Sequence, residues 1–241
     1  AKAKNQDNVP KTIENDFHSV IDKYSKSQSA ADCQFNIWLL DTETTGLQNE
    51  SDMVEIAYVD VISLQLFQSL LKPPGFISFE ASRAAKKSMN IHKLQSSWIV
   101  SAKSEEEIMK QLFTNLSKPT IIIAHNVAFD KRFVMKSLQR TGLSPDLHFV
   151  EFQNLLQIKG KKNLEAISAE LNIPFSNAHR AAADCVQMLK ILKSKSTSHS
   201  DMIKKCVEMK SKSASKKQSD PAQKRARKAT ISSSKKQRTK K

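Results

Sequence analysis

Cysteine, long apolar runs and repeated segments are all scarce in this chain of 241 residues. Its three cysteines, Cys33, Cys185 and Cys206, are odd in number, far apart and without C-x-x-C spacing. That argues against a disulfide scaffold and a zinc knuckle, and for reduced thiols in an intracellular protein. No stretch approaches the roughly 20 apolar residues that span a bilayer, and the first residues lack a signal-peptide apolar region. The expectation is a soluble chain with no membrane partner, cytoplasmic and associated with the nucleoid or replisome in a bacterium, or nuclear in a eukaryote. No segment repeats itself, which excludes a repeat architecture.

Acidic residues run short in one region only. From Lys193 to the last residue, seventeen Lys and Arg stand against Asp201, Glu208 and Asp220, a net of +14 out of +15 for the whole chain. Residues 1–192 therefore carry a net of +1. From Ser194 onward the composition turns to Ser, Lys, Arg and Gln with few apolar residues, too little burial to offset the entropy of ordering, so residues 194–241 are expected to form a disordered basic tail. A marginal helix around 202–209 is the exception. Such a tail is either a solvated charge run or an arm that neutralises phosphates with steep salt dependence. The Lys224-Arg225-Ala226-Arg227-Lys228 run also fits a nuclear-localisation pattern, a weak signal because basic runs are common.

The remaining chain divides into an N-terminal extension, 1–34, and a domain, 35–193. In the extension Ile13, Phe17, Val20, Ile21 and Tyr24 recur at helical spacing, predicting a short amphipathic helix that packs on the domain or meets a partner. The domain opens with a buried strand, Phe35 to Leu40, followed by β-rich runs at Val54–Ile62 and Gln65–Leu71, an antiparallel meander stopped by Pro73-Pro74-Gly75. Residues 82–98 read as loop with short helices. Ser104 and Glu107 form a capping-box pattern ahead of an amphipathic helix. A strand at Thr120–Ala124, a helix at 128–140, a strand near 147–152 and helices around 164–171 and 181–193 follow. The sum is an α/β domain with a mixed sheet flanked by helices.

Two carboxylates stand where the first strand ends, in Asp41-Thr42-Glu43-Thr44-Thr45-Gly46. Strand side chains alternate, so Asp41 and Glu43 leave on the same side. An acidic pair there calls for a hard divalent cation, Mg²⁺ or Mn²⁺, unless one residue caps a helix and the other is solvated. Two later segments bear on it. In Ala124-His125-Asn126-Val127-Ala128-Phe129-Asp130 a strand runs into a helix with Asp130 in its first turn, where an acid also suits the helix dipole. In His179-Arg180-Ala181-Ala182-Ala183-Asp184 the five-residue spacing puts His179 and Asp184 about 140° apart on a helix, from about 100° per residue. They serve one site only if His179 lies on the loop before the helix. There it suits a general base better than a metal ligand, although a lone histidine is equally a surface or capping residue.

In that order, DTETTG at 41–46, AHNVAFD at 124–130 and HRAAAD at 179–184 resemble the three exonuclease motifs of the DEDDh group, the DnaQ-like 3′–5′ exonucleases typified by the proofreading epsilon subunit of bacterial DNA polymerase III. The resemblance covers residues 35–192. It implies a ribonuclease H-like fold with a five-stranded mixed sheet, and two Mg²⁺ or Mn²⁺ held by Asp41, Glu43, Asp130 and Asp184, about 4 Å apart. It implies His179 as the base and nucleoside 5′-monophosphates as products. It places Thr44, Thr45, Leu47, Asn126 and Phe129 around the terminal nucleotide, although Leu47 and Phe129 fit a core equally well. Ile91-His92-Lys93-Leu94 resembles the family's I-H-G-I segment, with Lys93 in the place of glycine, which puts the nucleotide contact of His92 in question. The implied partners are single-stranded or frayed DNA 3′-ends and a DNA polymerase catalytic subunit. An exoribonuclease of the RNase T or oligoribonuclease type shares the same acids, and a non-catalytic nucleic-acid-binding protein working through its tail is the reading from another class.

Overall fold

Alternation along one strand sets the two layers of this fold. In the structure, a computed structural model describing residues 11–21, 32–158, 160 and 162–217, strand β1 spans Asn36–Thr44. Ile37 and Leu39 enter one apolar cluster, and Trp38 and Leu40 enter another on the opposite face. Each fully buried side chain of this kind contributes about 1.5–3 kcal/mol. A one-residue slip would turn all four to the wrong face, so the register is strongly specified. The direction of Asp41 and Glu43 follows, since both continue the odd-numbered set.

Strands β2 (Met53–Asp60), β3 (Gln65–Leu70), β4 (Thr120–Ala124) and β5 (Leu147–Glu151) complete one five-stranded sheet in the order β3-β2-β1-β4-β5. The meander is antiparallel, and β4 and β5 run parallel to β1. Helices α1 (Lys11–Ile21), α2 (Arg83–His92), α3 (Ser96–Val100), α4 (Glu105–Phe113), α5 (Val127–Thr141), α6 (Phe152–Leu155), α7 (Leu164–Glu170), α8 (Ala181–Ser194) and α9 (His199–Lys217) surround it. The Ser104–Glu107 capping box closes the start of α4 as expected. Helices α4 and α5 cover the Trp38 face, and α8, α1 and α9 cover the Ile37 face. Helix α1 buries Ile13, Phe17 and Val20, and Lys190 of α8 reaches Asp16 at 2.7 Å.

Two expectations are corrected. First, β1 does not end at Leu40: antiparallel pairing with β2 carries it through Asp41, Thr42 and Glu43 to a register shift at Thr44. The acidic pair thus sits within the β1–β2 ladder, at the end of the strand. Its pairing with β4 stops at Leu39↔Ile123, so beyond that point β1 is paired on one side only and a crevice opens toward α5. The short helices expected over residues 82–98 are present as α2 and the start of α3. Second, the basic segment is not without structure from Ser194. Helix α9 buries His199, Met202, Ile203 and Cys206 in the Ile37-face core, and the His199 ring meets the Val61 carbonyl. A few apolar residues at helical spacing suffice to dock a helix whose other faces are Lys-rich. Residues 218–241, with the Lys224–Lys228 run, lie outside the described residues.

Candidate active site

The site forms where the open end of β1 meets the first turn of α8. Asp41, Glu43 and Asp184 each offer a carboxylate oxygen, and these lie within 4.8 Å of one another. Small side chains make this approach possible, because Ala181, Ala182 and Ala183 are buried against the sheet. The Cys185 thiol lies 3.3 Å from the Ala57 carbonyl of β2. Asp130 is outside that group. It is buried on α5 in the β1–β4 crevice and accepts the Thr42 hydroxyl at 2.9 Å.

Crowding has an electrostatic signature. Burial first, and then Asp184, Asp130, Glu43 and Glu55, hold the Asp41 carboxyl well above the usual carboxylate range. Glu43 is pushed up by burial, Glu55, Asp184 and Asp130, with Arg180 opposing. Burial also raises Asp184 to about 8 and Asp130 to about 7; a His179 main-chain hydrogen bond opposes the first shift and Thr42 opposes the second. Asp184 Oδ1 is buried with no hydrogen-bond partner among the described residues. An all-oxygen donor set, mutually repelling and with an orphaned buried carboxylate oxygen, fits hard divalent cations such as Mg²⁺ or Mn²⁺.

His179 lies outside this cluster. It precedes α8 as the spacing requires, in the left-handed region at φ 65°. Its main-chain N–H serves the Asp184 carboxylate while its ring stands 52% exposed, with Nε2 3.6 Å from Glu165 Oε1 on α7. The backbone therefore belongs to the carboxylate cluster and the side chain to the rim.

The other motif residues divide between shaping and surface. Thr44 donates its hydroxyl to the Gly46 carbonyl at 2.8 Å, and the Thr45 hydroxyl accepts the Asp52 N–H at 3.0 Å, so both hold the turn after β1. A side chain at Gly46 would meet Ser51 Oγ at 2.6 Å. Leu47 projects, 68% exposed. Asn126 is exposed, in the left-handed region. Phe129 packs edge-on against Phe133, centroids 4.9 Å apart, at the margin of the Trp38-face core. His92 is buried beside Phe79, its Nδ1 accepting the Leu94 N–H at 3.0 Å, and Nε2 has no partner among the described residues. Burial lowers this histidine to about 4, so it is neutral. Lys93 adopts the left-handed C-cap conformation that favours glycine, with φ 60°.

Sequence reasoning missed three supporting residues. Glu55 of β2 lies opposite Glu43, only 2% exposed, and accepts three contacts from Arg180, at 2.8, 3.2 and 3.3 Å, and the Ala181 N–H at 3.1 Å. It anchors the start of α8 to the sheet. An acid near the start of the apolar Val54–Ile62 run, with an arginine beside His179, was the available signal. Glu151, at the end of β5, accepts the Asn126 and Val127 N–H groups, both at 3.0 Å, and so fixes the start of α5 and with it Asp130. Glu165 faces His179.

The RNase_T exonuclease family model matches residues 38–192, and the chain belongs to this family. Within it, the motifs place the chain in the DEDDh, DnaQ-like group of 3′–5′ exonucleases. Among curated proteins, it is 28% identical over 155 residues to a DNA polymerase III PolC-type of Lacticaseibacillus paracasei. It is 26% identical over 152 residues to that of Staphylococcus aureus. Each match covers 61% of this chain and 10% of the relative, so the chain spans about a tenth of the length of these polymerases. Exonuclease I shares the fold with TM-score 0.55 and 16% identity, over 71% of this chain and 43% of that one. A full-length 3′-exonuclease does so with TM-score 0.51 and 12% identity, over 65% and 59%.

Proposed function

We propose that this protein is a divalent-cation-dependent exonuclease that removes nucleoside 5′-monophosphates from DNA 3′-ends. The observation that carries the reading is the convergence of Asp41, Glu43 and Asp184 within 4.8 Å, with Asp184 Oδ1 unpartnered. These three carboxylates would hold two Mg²⁺ or Mn²⁺, with Asp130 as the fourth acid. When bound, the cations would supply positive charge to the phosphodiester and lower the pKa of water so that it can be deprotonated. His179 would accept a proton from the attacking water, for which its exposed ring on the approach loop has the freedom. Leu47, Asn126 and the turn at Thr44 and Thr45 border the terminal nucleotide, with Phe129 and His92 behind them.

DNA is favoured because the matching curated proteins are named DNA polymerase III, which also supports a polymerase subunit as partner. The test is digestion of matched DNA and RNA single strands labelled at the 5′-end. Stepwise shortening from the 3′-end, faster on DNA, stopped by EDTA and abolished in Asp41→Asn is expected. Faster RNA shortening would move the substrate to RNA, and unchanged digestion by Asp41→Asn would overturn the site.

A further inference from the structure

Basic side chains on two helices beside the site are used differently. On α5, Arg132 binds the Leu47 carbonyl at 2.8 Å, Lys136 binds the Ser51 carbonyl at 2.8 Å, and Arg140 pairs with Asp52 at 2.7 Å. All three are committed to the loop after β1. On α2, Arg83, Lys86 and Lys87 are exposed, and none makes an ion pair or side-chain hydrogen bond among the described residues. At about 100° per residue these three and Asn90 share one face, opposite Ala85, Met89 and His92, which pack inward. Lys93, also exposed, extends the charge at the C-terminal end.

Helix α2 also lies along the site. A Cβ at Gly46 would stand 3.4 Å from the Ala84 Cβ, so the lateral face of α2 abuts the turn that follows Glu43 and Thr44. At its other end His92 feels the charge of Arg180 and His179. An open depression of about 180 Å³, lined in part by Thr45, Ile77, Ser82 and Ala85, continues from that turn to the N-terminal end of α2. Residues 1–192 carry a net of only +1, so a basic face next to the site, where only Lys86 feels a nearby acid, Glu80, among the described residues, is not a by-product of overall charge.

We infer that the Arg83–Lys86–Lys87 face of α2 is the track for the phosphates of a single-stranded nucleic acid leading away from the bound 3′-end. Unpaired lysines and arginines bind such a backbone by displacing its counterions, independently of base sequence. The inference rests on the exonuclease reading for its direction along the strand, but the charge contact is measurable without hydrolysis.

The experiment uses the full chain and a fluorescent single strand of about a dozen nucleotides. Its affinity is followed by anisotropy in EDTA across a salt series, for the parent and for Arg83→Gln/Lys86→Gln/Lys87→Gln. Loss of three phosphate contacts should flatten the slope of log K against log salt by about 2. At low salt it should weaken binding on the order of tenfold. The charge-retaining Arg83→Lys/Lys86→Arg/Lys87→Arg chain should bind like the parent, which separates charge from packing. Equal slopes and affinities for parent and glutamine variant would overturn the inference. A flattened slope in a protein that hydrolyses neither DNA nor RNA would support the track and refute the exonuclease reading, so the two fail separately.

Discussion

The two walls of the site are held by different means. On the sheet wall, Asp41, Glu43 and Glu55 occupy adjacent positions in the β1–β2 ladder, and no local movement separates them without breaking backbone pairing. On the helix wall, Asp184 is fixed by α8, while His179 hangs from a residue at positive φ with its ring half exposed. Preorganised carboxylates carry a standing repulsion that a bound cation would relieve, so on the proposed function their rigidity would serve binding. As the proposed base, His179 would need the opposite property, since it would have to meet water and a substrate that arrives from solvent. The Glu55–Arg180 pair joins the walls: it ties the first residues of α8 to β2, and Arg180 partly offsets the charge on Glu43.

This contrast is sharpened most strongly in the metal-free protein. With Asp130 raised to about 7 and Asp184 to about 8, from an ordinary value of 3.8, the folded metal-free protein holds more protons than the unfolded chain between these limits. Its stability should therefore fall as pH rises from about 4 to about 8. Thermal unfolding in EDTA should show a falling Tm over that window, and Mn²⁺ should raise Tm at pH 8 far more than at pH 5. Next in size is Arg180→Met, which leaves Glu55 charged and buried. Breaking a buried pair in this way costs about 3–5 kcal/mol, to be read from denaturant unfolding. His179→Ala should lower turnover roughly a hundredfold with little change in stability, because its ring is half exposed and its nearest charged partner, Glu165, is also at the surface. Smallest is Glu165→Gln: a half-exposed contact at 3.6 Å is worth about 1 kcal/mol at most, so turnover should change fivefold or less. A larger loss there would mean that the helix wall is as organised as the sheet wall.

The sheet wall was legible in sequence because a period of two in an apolar run fixes the side to which Asp41 and Glu43 point. The place of His179 ahead of α8 was legible because five residues do not bring two side chains to one helical face. Glu55 and Arg180 were not, since their pairing joins residues 125 apart in sequence and leaves no local pattern. The basic segment was misread in part because composition averages over a helix: Met202, Ile203 and Cys206 dock α9 although its mean character is that of a solvated tail. A deletion of the tail that begins before Met209 therefore cuts into the core. The register shift at Thr44, and the turn closed by the Thr44 and Thr45 hydroxyls, depend on partners that become neighbours only in the fold.

The most direct measurement is calorimetric titration of Mn²⁺ into the metal-free full chain at pH 8, for the parent, Asp184→Asn and His179→Ala. Saturable binding in the parent, retained in His179→Ala and lost in Asp184→Asn, is the expected result, because in the proposed site the carboxylates would hold the cation and the histidine would not. Equal binding in the parent and Asp184→Asn would contradict it.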